Sequence, residues 1–269
     1  MTRILADCAA PYWCNNQPFQ PHGTVADRIH SVFVPLFIVS FIVWLAVSIA
    51  ILYAVFRFRR KSDDEEPAQI HGNNRLEIAW TIAPFAILIA IFINTAINMP
   101  FINNVNANDA KASGLNTMGI CTQGERFLWK YFYYNDAQLT GDTQDSCSAH
   151  EVKDANGKAN YAPKKGEPVV QASYKLVVPV KTEVKLTIVS TDVNHSFYVP
   201  SIAGQVNAIP GQVNDLWFEV DNPGVYHGSC LELCGDGHSS MLIEVDALSQ
   251  ADYQKWYTDA KAKLQRSGG

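Results

Sequence analysis

Two long apolar stretches near the N-terminus limit the possible folds of this chain more than any other feature. No Asp, Glu, Lys or Arg occurs between Ser31 and Phe56, and a second uncharged run follows Glu77, with its apolar part from Ile78 to about Ile97. Each run is long enough to cross the hydrocarbon core of a bilayer as a helix of about 20 residues. A buried core helix fits less well, because neither run shows a polar face. The sequence therefore predicts two transmembrane helices.

The short loop between the two runs predicts the orientation of the hairpin. It carries four basic residues followed by four acidic ones: Arg57, Arg59, Arg60, Lys61, Asp63, Asp64, Glu65 and Glu66. Basic residues in a short loop mark the cytoplasmic side of a membrane, whereas acidic residues contribute little. Both ends of the hairpin should therefore lie on the opposite side, which is the bacterial periplasm or the mitochondrial intermembrane space.

The chain beyond the hairpin has the pattern of a β domain. Five short runs separated by Pro and Gly turns follow residue 173: YKLVVPV, VKLTIVS, FYVP, LWFEV and MLIEV. Residues 119–135 mix aromatic and polar positions as a strand does, so the pattern predicts a sandwich or barrel. The tail from Ser249 predicts a helix with a capping box formed by Ser249 and Asp252. That helix has an apolar stripe for packing on the barrel: Tyr253, Trp256, Tyr257, Ala260 and Leu264.

These patterns divide the chain into five segments. They are an external N-terminal segment (1–30), a transmembrane hairpin (31–100), a linker (101–117), a β domain (118–247) and a C-terminal helix and tail (248–269). The β domain includes a polar surface excursion over residues 136–168, which are rich in Gly, Asp, Lys and Ser.

Six cysteines fall into three pairs along the sequence: Cys8 and Cys14, Cys121 and Cys147, and Cys230 and Cys234. The predicted topology places all of them on the non-cytoplasmic side, where disulfides are permitted. The first two pairs are compatible with disulfides, although pairing cannot be deduced from sequence. The neighbours of the third pair indicate a different chemistry.

The segment from Cys230 to Met241 brings together four metal-binding side chains. Cys230, Cys234 and His238 follow one another at intervals of four residues, and Met241 comes three residues later. A further histidine, His195, lies upstream, just before an extended segment. Thiolate and thioether ligands select copper, and imidazole suits copper as well. On a loop between strands these side chains can converge on one point.

Several kinds of site compete for these ligands. Cys230 and Cys234 could form a disulfide, and a zinc site with two Cys and two His would leave Met241 without a role. A mononuclear blue-copper site would leave one cysteine over. Two copper ions that share both thiolates use every residue, and they suit fast electron transfer because little rearranges on oxidation or reduction.

The ligand segment, with His195 upstream, resembles the dicopper (CuA) domain of cytochrome c oxidase subunit II. The resemblance extends over roughly residues 30–260 and includes the hairpin, the aromatic strand, Ala208-Ile-Pro-Gly211 and Pro223-Gly-Val-Tyr226. It implies a membrane-anchored all-β protein with an N-terminal two-helix transmembrane hairpin and a cupredoxin-like Greek-key β-barrel. It also implies two copper ions held by two bridging thiolates, one histidine per copper, a weak thioether and a backbone carbonyl: Cys230, Cys234, His195, His238, Met241 and Glu232. The Glu232 side chain would also reach a magnesium ion shared with subunit I.

Two further roles follow only from the resemblance. Glu77, by itself an interfacial acid, matches a glutamate at the entrance of a proton-uptake channel on the cytoplasmic side. The family has a surface tryptophan beneath docked cytochrome c, and aligned on Trp129 that position is Phe127 here. We therefore expect Phe127 and Trp129 to form an electron-input patch. At positions that face subunit I in the family, this chain replaces a basic residue, an acid and an arginine by Gln205, Asn207 and Gln212.

The charge pattern favours a basic partner. The formal net charge is −5, and no Lys or Arg occurs from Leu186 to Gln254. That stretch contains nine acids: Asp192, Asp215, Glu219, Asp221, Glu232, Asp236, Glu244, Asp246 and Asp252. An acidic surface of this kind would steer a basic protein such as cytochrome c, and it argues against nucleic-acid binding.

The expected protein is thus subunit II of a respiratory cytochrome c oxidase in a bacterial inner (plasma) membrane, with the mitochondrial inner membrane as the alternative. It would accept electrons from cytochrome c and pass them to haem in subunit I, which reduces oxygen to water coupled to proton translocation; subunit III is a further expected partner. No nucleophile, base and orienter set is present, so we expect no catalysis by this chain alone.

A quinol oxidase subunit would lack the copper ligands, and nitrous oxide reductase would lack the hairpin. A membrane-anchored copper carrier or a nitric oxide reductase with a similar centre remains an alternative.

Overall fold

The computed structural model describes residues 20–59, 72–103, 116–133, 151–153, 159–161, 170–173 and 175–267. The chain divides into two compact units, one formed by residues 29–100 and the other by the remaining residues. Cys8, Cys14 and Cys147 lie outside the described residues, as does most of the predicted excursion over residues 136–168.

The first unit is a pair of long apolar helices. Helix α1 spans Thr24–Arg57 and helix α2 spans Asn74–Asn103, so the helices begin and end outside the expected limits of 31 and 100. The most apolar part of each helix has no residue buried within the protein, as expected for helices whose surroundings are lipid or another membrane chain. Asn73 caps α2, because its Oδ1 accepts hydrogen bonds from the N–H groups of Arg75 and Leu76 at 3.1 and 3.3 Å.

The second unit is a β domain with a C-terminal helix, α3 (Gln250–Ser267). Its strands within the described residues are β1 (Asn116–Glu125), β2 (Leu128–Tyr133), β3 (Glu151–Lys153), β4 (Ala159–Tyr161), β5 (Val170–Ser173), β6 (Lys175–Pro179), β7 (Thr182–Ser190), β8 (His195–Tyr198), β9 (Gln205–Ala208), β10 (Asn214–Phe218), β11 (Gly224–Ser229) and β12 (Leu242–Leu248).

Two main sheets form a sandwich around one core. The larger sheet has the strand order β10-β7-β1-β2-β5, and the smaller has the order β11-β12-β6. Strands β1 and β7 are parallel, as are β12 and β6, so each sheet mixes parallel and antiparallel pairing. Apolar side chains from both sheets, such as Ile120 and Leu186 from one and Leu176 and Val245 from the other, share a single buried cluster. The domain is a cupredoxin-like sandwich anchored by the helical hairpin.

Helix α3 packs on this core through the predicted stripe. Tyr253 and Tyr257 are buried in the core cluster, and Trp256 packs against it. The predicted cap is confirmed, because Ser249 Oγ donates to Asp252 Oδ2 at 2.6 Å and accepts from the Asp252 N–H at 3.2 Å. The side chain of Leu264 lies outside the described set.

The strand pattern is confirmed for the five predicted runs after residue 173, corrected at residues 119–135, and incomplete at β3, β4, β5, β9 and β11, which it does not predict. The five predicted runs after residue 173 correspond to β6, β7, β8, β10 and β12. The segment 119–135 is wrong as a single strand, because β1 and β2 form a hairpin that turns at Arg126 and Phe127. Strands β9 and β11 were not predicted, because β9 (QVNA) lacks apolar alternation and β11 (GVYHGS) contains two glycines, which are weak strand formers.

Candidate metal centre

The twelve residues from Cys230 to Met241 form the loop between β11 and β12, here called the ligand loop. Ser229 and Leu242 are the last paired residues of the two strands. The Cys230 N–H then donates to the Met241 carbonyl at 3.0 Å, which closes the base of the loop. The first and last side chains of the predicted ligand set are therefore held side by side, and both are buried.

Local hydrogen bonds fold the second half of the ligand loop into a compact turn. The His238 N–H donates to the Gly235 carbonyl at 3.0 Å, and the Ser240 N–H donates to the Gly237 carbonyl at 3.0 Å. A single 3-10 turn, His238–Ser240, follows. Gly235 has a φ of +128°, a conformation that glycine adopts without strain. The turn brings His238 back towards Cys234, with His238 Nδ1 3.6 Å from Cys234 Sγ.

Strand β8 brings His195 to the same place. His195 is the first residue of β8, where it pairs with Ala208 of β9, and it is fully buried. The next residue attaches this strand to the ligand loop: the Ser196 N–H points at Cys230 Sγ at 3.4 Å, and the Leu231 N–H donates to the Ser196 carbonyl at 3.3 Å. A residue 35 positions upstream thereby becomes a neighbour of Cys230.

The six predicted copper ligands converge. One ring nitrogen of His195 and the sulfurs of Cys230 and Cys234 lie within 4.8 Å of one another. Cys230 Sγ is also 3.3 Å from the Glu232 carbonyl oxygen, and Cys234 Sγ is 3.9 Å from Met241 Sδ. His238 and Glu232 are partly exposed, whereas the two sulfurs are buried. Neither cysteine is in a disulfide, which removes one of the competing interpretations.

The orientation of His195 fits a metal ligand. Its Nε2 lies 2.9 Å from Asp192 Oδ1, which fixes the ring. Its Nδ1 is buried and makes no hydrogen bond with any residue that the structure describes. A buried ring nitrogen without a partner is costly unless another group binds it. A metal ion shared with the neighbouring sulfurs would satisfy Nδ1, so the donor set and this orphaned nitrogen both fit a soft cation such as copper.

The surroundings of the two thiols shift their pKa values in opposite directions. Burial by itself would raise the pKa of Cys230, but the neighbouring His195 ring and the Ser196 N–H outweigh burial and lower the pKa below its usual value. For Cys234, burial and then the negative charge of Cys230 raise the pKa. The Cys230 thiolate is therefore favoured near neutral pH, and a nearby cation would favour formation of the second thiolate.

Asp192, the partner of His195, is held as an anion. Burial would raise the pKa of Asp192, but hydrogen bonds with His195 and with the N–H groups of Arg126 and Val193 lower it below its usual value. Its Oδ2 accepts from the Arg126 N–H at 2.8 Å, and the Arg126 Nε lies 3.3 Å away. The sequence predicts no role in the metal centre for Arg126 or Gly124, and it predicts Asp192 only as one of the surface acids. The Asp-x-x-His spacing of Asp192 and His195 is the signal that could have identified the role of Asp192.

The two aromatic residues predicted to form an electron-input patch lie in different environments. Phe127 is 36% exposed at the β1–β2 turn, but Trp129 is buried, with only 1% of its surface accessible. Trp129 packs edge-on against Phe197, with ring centroids 5.4 Å apart, because alternate residues of β2 face the core. Of the predicted electron-input patch, Phe127 therefore lies at the surface and Trp129 lies in the core.

The predicted acidic surface is partly compensated by basic residues from elsewhere in the chain. Five of the nine acids are paired or buried: Asp192 with Arg126, Asp215 with Lys185, Glu244 and Asp246 with Lys175, and Glu219 in the interior. The basic partners lie outside the sequence stretch that lacks Lys and Arg, and the sheets bring them alongside. Asp236, in the ligand loop, is exposed.

The remaining predicted positions lie outside the ligand loop in the sequence. Glu77 is exposed in the first turn of α2, where its Oε1 is 3.4 Å from the Asn73 N–H. Gln205 and Gln212 are exposed, and the Asn207 carbonyl accepts a hydrogen bond from Asn214 Nδ2 at 2.7 Å. Cys121 is in a disulfide bond, as its pairing in the sequence allowed.

Comparison with known proteins agrees with this architecture. The family model described as "Cytochrome C oxidase subunit II, periplasmic domain" matches residues 118–248, and the model for the transmembrane domain of the same subunit matches residues 14–95. A cytochrome c oxidase subunit 2 from Alkalihalophilus pseudofirmus is 31% identical over 98% of this chain and 67% of its own length. One from Cereibacter sphaeroides is 31% identical over 90% of this chain and 80% of its own length.

A plant relative and a solved structure are also similar to this chain. The cytochrome c oxidase subunit 2 of Oenothera berteroana is 30% identical over 96% of this chain and 94% of its own length. The crystal structure of the periplasmic domain of subunit II of cytochrome oxidase from Bradyrhizobium japonicum covers 54% of this chain and 94% of the solved chain, with 23% identity and a TM-score of 0.40.

The matches to both family models, together with relatives aligned over most of both chains, establish the family. The cluster of His195, Cys230 and Cys234 supplies the donor set of a copper site. The chain therefore belongs to the cytochrome c oxidase subunit II family, as a membrane-anchored part of an oxidase complex.

Proposed function

We propose that this chain is the electron-input subunit of its oxidase and that it holds two copper ions between Cys230 and Cys234. The observation that carries the proposal is the convergence of both thiols with the ring nitrogens of His195 and His238, the Met241 thioether and the Glu232 carbonyl. Each sulfur has its own neighbours: the Glu232 carbonyl lies near Cys230, and the His238 ring and Met241 thioether lie near Cys234. A site for a single ion would leave part of this set unused.

The residues of the chain would supply a rigid and largely buried cage. A pair of copper ions bridged by two thiolates supplies one delocalised electron that can be gained or lost with little rearrangement. The protein contributes the anchored His195 ring, the loop base closed by Cys230 and Met241, and the burial that keeps water from the sulfurs. Such preorganisation favours electron transfer over substrate binding.

Electron paramagnetic resonance and metal analysis of the copper-loaded full chain test this proposal. One electron shared equally by two copper nuclei gives a seven-line hyperfine pattern, and metal analysis should give two copper ions per chain. A four-line pattern with one copper per chain would indicate a mononuclear site and contradict the proposal. Ready release of copper without a mixed-valence spectrum would instead favour a membrane-anchored copper carrier.

We further propose that electrons arrive from cytochrome c at the β1–β2 turn. Phe127 is the exposed aromatic residue there, and its ring lies against the ligand loop beside Gly237. Asp236, the residue before Gly237, is exposed, and its carboxylate would favour a basic partner. Trp129 lies behind this surface and contacts the His195 ring, so it extends the aromatic path towards the metal ligands. The compensated acids contribute less to steering than their number in the sequence suggests.

Onward transfer is proposed to haem in subunit I, where oxygen is reduced to water with proton translocation, with subunit III as a further partner. The ligand loop has an apolar outer surface that suits burial by another subunit, because Leu231 and Leu233 are 46% and 79% exposed. The side chain of Glu232, which lies between these two leucines, is the proposed magnesium ligand at this boundary. Carboxylate oxygen is a preferred ligand type for magnesium.

The proposed location is the inner (plasma) membrane of a bacterium, with the β domain in the periplasm. The basic loop residues favour a cytoplasmic position for the turn between the helices. Glu77 at the start of α2 would then lie on the cytoplasmic side, which suits a role at the entrance of a proton-uptake channel. Its exposure in the isolated chain is compatible with that role.

A further inference from the structure

The β1–β2 turn contacts both segments that carry a histidine ligand. Its first residue, Arg126, contacts Asp192, the hydrogen-bond partner of His195. Its second residue, Phe127, lies against the ligand loop just before His238. Two adjacent residues of the turn therefore contact the two segments that carry the histidine ligands.

On the His195 side, both oxygens of Asp192 are occupied. Oδ1 lies 2.9 Å from His195 Nε2 and accepts from the Val193 N–H at 2.7 Å. Oδ2 accepts from the Arg126 N–H at 2.8 Å and faces the Arg126 Nε at 3.3 Å. The carboxylate therefore cannot rotate without losing hydrogen bonds at both oxygens, and this fixes the imidazole that it holds.

On the His238 side, the Phe127 ring covers the backbone of two glycines. A Cβ atom on Gly237 would come within 2.4 Å of the Phe127 Cγ and Cδ2 atoms, and one on Gly235 would come within 3.2 Å of Cζ. The Gly235 carbonyl accepts the hydrogen bond from the His238 N–H at 3.0 Å. The ring thus lies directly over the turn that aims His238 at Cys234.

We propose that the Arg126–Phe127 turn is a clamp that positions both imidazole ligands at once. Arg126 acts through Asp192 on His195, and Phe127 acts through Gly235 and Gly237 on His238. Both are positioning residues, since neither reaches the sulfurs. The inference rests on the proposed metal function and adds a second role for the turn where the electron donor is proposed to dock. The turn is accessible to a partner, because the Arg126 side chain is 51% exposed and Phe127 is 36% exposed.

The Arg126 half of the clamp has a matched control in the same hairpin. Arg126→Ala removes the guanidinium contact to Asp192, and Asp192→Asn removes the anion that receives it. Lys130→Ala removes a comparable ion pair, that of Lys130 with Glu125 at 2.6 Å, which does not contact Asp192. The copper-loaded full chain is compared with each variant for the rate of copper loss to a chelator and for its paramagnetic resonance spectrum. Asp192→Asn should lose copper about 10- to 100-fold faster, the range over which loss of an outer-shell partner weakens metal binding. Arg126→Ala keeps the backbone N–H bond to Asp192, so it should lose copper faster than Lys130→Ala but less fast than Asp192→Asn.

The Phe127 half is tested by a double-mutant cycle with Gly237. Phe127→Ala should speed copper loss, whereas Phe127→Leu, which keeps an apolar side chain over the glycines, should retain most of the wild-type behaviour. Gly237→Ala should displace the ring and speed copper loss in the wild-type background. The same change should add little in the Phe127→Ala background, because the clash is then absent.

A copper-free measurement separates this inference from the proposed function. Nitrogen NMR of the His195 ring in the full chain without copper reports which nitrogen carries the proton, and Asp192 should hold it on Nε2. Asp192→Asn should change this tautomer, and Lys130→Ala should not. A wild-type chain that binds no copper pair would contradict the proposed function. The NMR result would still show whether Asp192 fixes the tautomer of His195. The clamp proposal would be overturned if the variants of Arg126, Asp192 and Phe127 behaved like Lys130→Ala in all measurements.

Discussion

The indole ring of Trp129 packs edge-on against the imidazole ring of His195, with the two centroids 6.0 Å apart. Trp129 therefore belongs to the hydrophobic core and to the wall of the metal centre at the same time. Asp192 holds the His195 ring by a hydrogen bond, and Trp129 contacts it by packing. A histidine restrained in this way can keep its orientation when a metal is gained or lost.

Gly124 allows this packing, so its substitution should disturb the site. A Cβ atom on Gly124 would lie 3.1 Å from both His195 Cδ2 and Trp129 Cζ3. Gly124→Ala should therefore destabilise the β domain by about 1–3 kcal/mol, the usual cost of overpacking. Denaturant unfolding of the full chain, monitored by tryptophan fluorescence, measures this change. An unchanged midpoint together with an unchanged copper spectrum would contradict the tight contact.

Electron input should depend on the aromatic ring of Phe127. Phe127→Leu removes the π-system but keeps an apolar contact with the ligand loop, so it should slow reduction of the copper site by cytochrome c. The later transfer from copper to haem should be unchanged, and Phe127→Trp should restore the input rate. Flash photolysis of the assembled oxidase measures the two steps separately.

Two outcomes would contradict this role of Phe127. Equal slowing of both steps would indicate a structural role, and an unchanged reduction rate in Phe127→Leu would show that the aromatic ring is not needed. Separately, a reduction rate that does not fall as salt is added would contradict docking by charge at Asp236. Trp129→Ala cannot serve as a parallel test, because truncating a buried tryptophan costs about 3–5 kcal/mol of stability.

Glu232 separates the copper and magnesium proposals, because its backbone and side chain have different proposed roles. Glu232→Gln keeps the carbonyl oxygen that lies 3.3 Å from Cys230 Sγ but removes the carboxylate. The copper spectrum should be unchanged, whereas manganese bound in place of magnesium in the assembled oxidase should be lost or weakened. Manganese paramagnetic resonance detects the second effect. Retention of a wild-type manganese signal would remove Glu232 from the magnesium site.

Glu77 is tested by a substitution that preserves its helix cap. Glu77→Gln keeps a side-chain oxygen near the Asn73 N–H and removes only the titratable carboxyl group. If Glu77 lies at a proton-uptake entrance, the variant oxidase should take up protons and turn over more slowly, with normal electron input at copper. Proton uptake measured with a pH indicator dye in reconstituted vesicles tests this. Wild-type rates would leave Glu77 with its capping role alone.

Glu219 should make the stability of the β domain depend on pH. Burial, together with repulsion from Asp221, raises the pKa of Glu219 above its usual value. The folded state therefore binds this proton more tightly than the unfolded chain does. Its contribution to stability is present below the ordinary pKa of glutamate and is lost as the pH rises through the folded-state value.

Glu219→Gln removes this dependence, because glutamine stays neutral. The melting temperature of the variant should match that of the wild type at about pH 4 and exceed it increasingly towards about pH 8. Thermal unfolding of the full chain in detergent across this range measures the difference. A constant difference in melting temperature at every pH would show that Glu219 does not titrate between these values.

Much of the candidate site could be predicted because its ligands are close in sequence. Cys230, Cys234, His238 and Met241 lie on one loop, and their donor types select copper whatever the details of the fold. The two membrane helices could be predicted for a similar reason, since length and the absence of charge are local properties of the chain. The basic residues in the loop between the helices likewise predict the orientation of the hairpin in the membrane.

Predictions that needed contacts between distant residues were less successful. The alternation of residues 119–135 suggested one strand, but the polar turn at Arg126 reverses the chain and buries Trp129. The acids after Leu186 suggested a continuous negative surface, but Arg126, Lys175 and Lys185 pair with four of the nine. Neither the hairpin nor these ion pairs could be predicted, because sequence spacing does not give the register between strands.

The sequence alone determined which atoms can bind metal and where the chain can cross a membrane, because both depend on residue type and short spacing. Only the tertiary structure decided which of these atoms meet. It placed His195 against Cys230, aligned its ring through Asp192, and put Arg126 and Phe127 beside the two ligand-bearing segments. These relationships depend on how β1, β2, β8 and the ligand loop pack, since burial and strand pairing bring together residues that the chain keeps far apart.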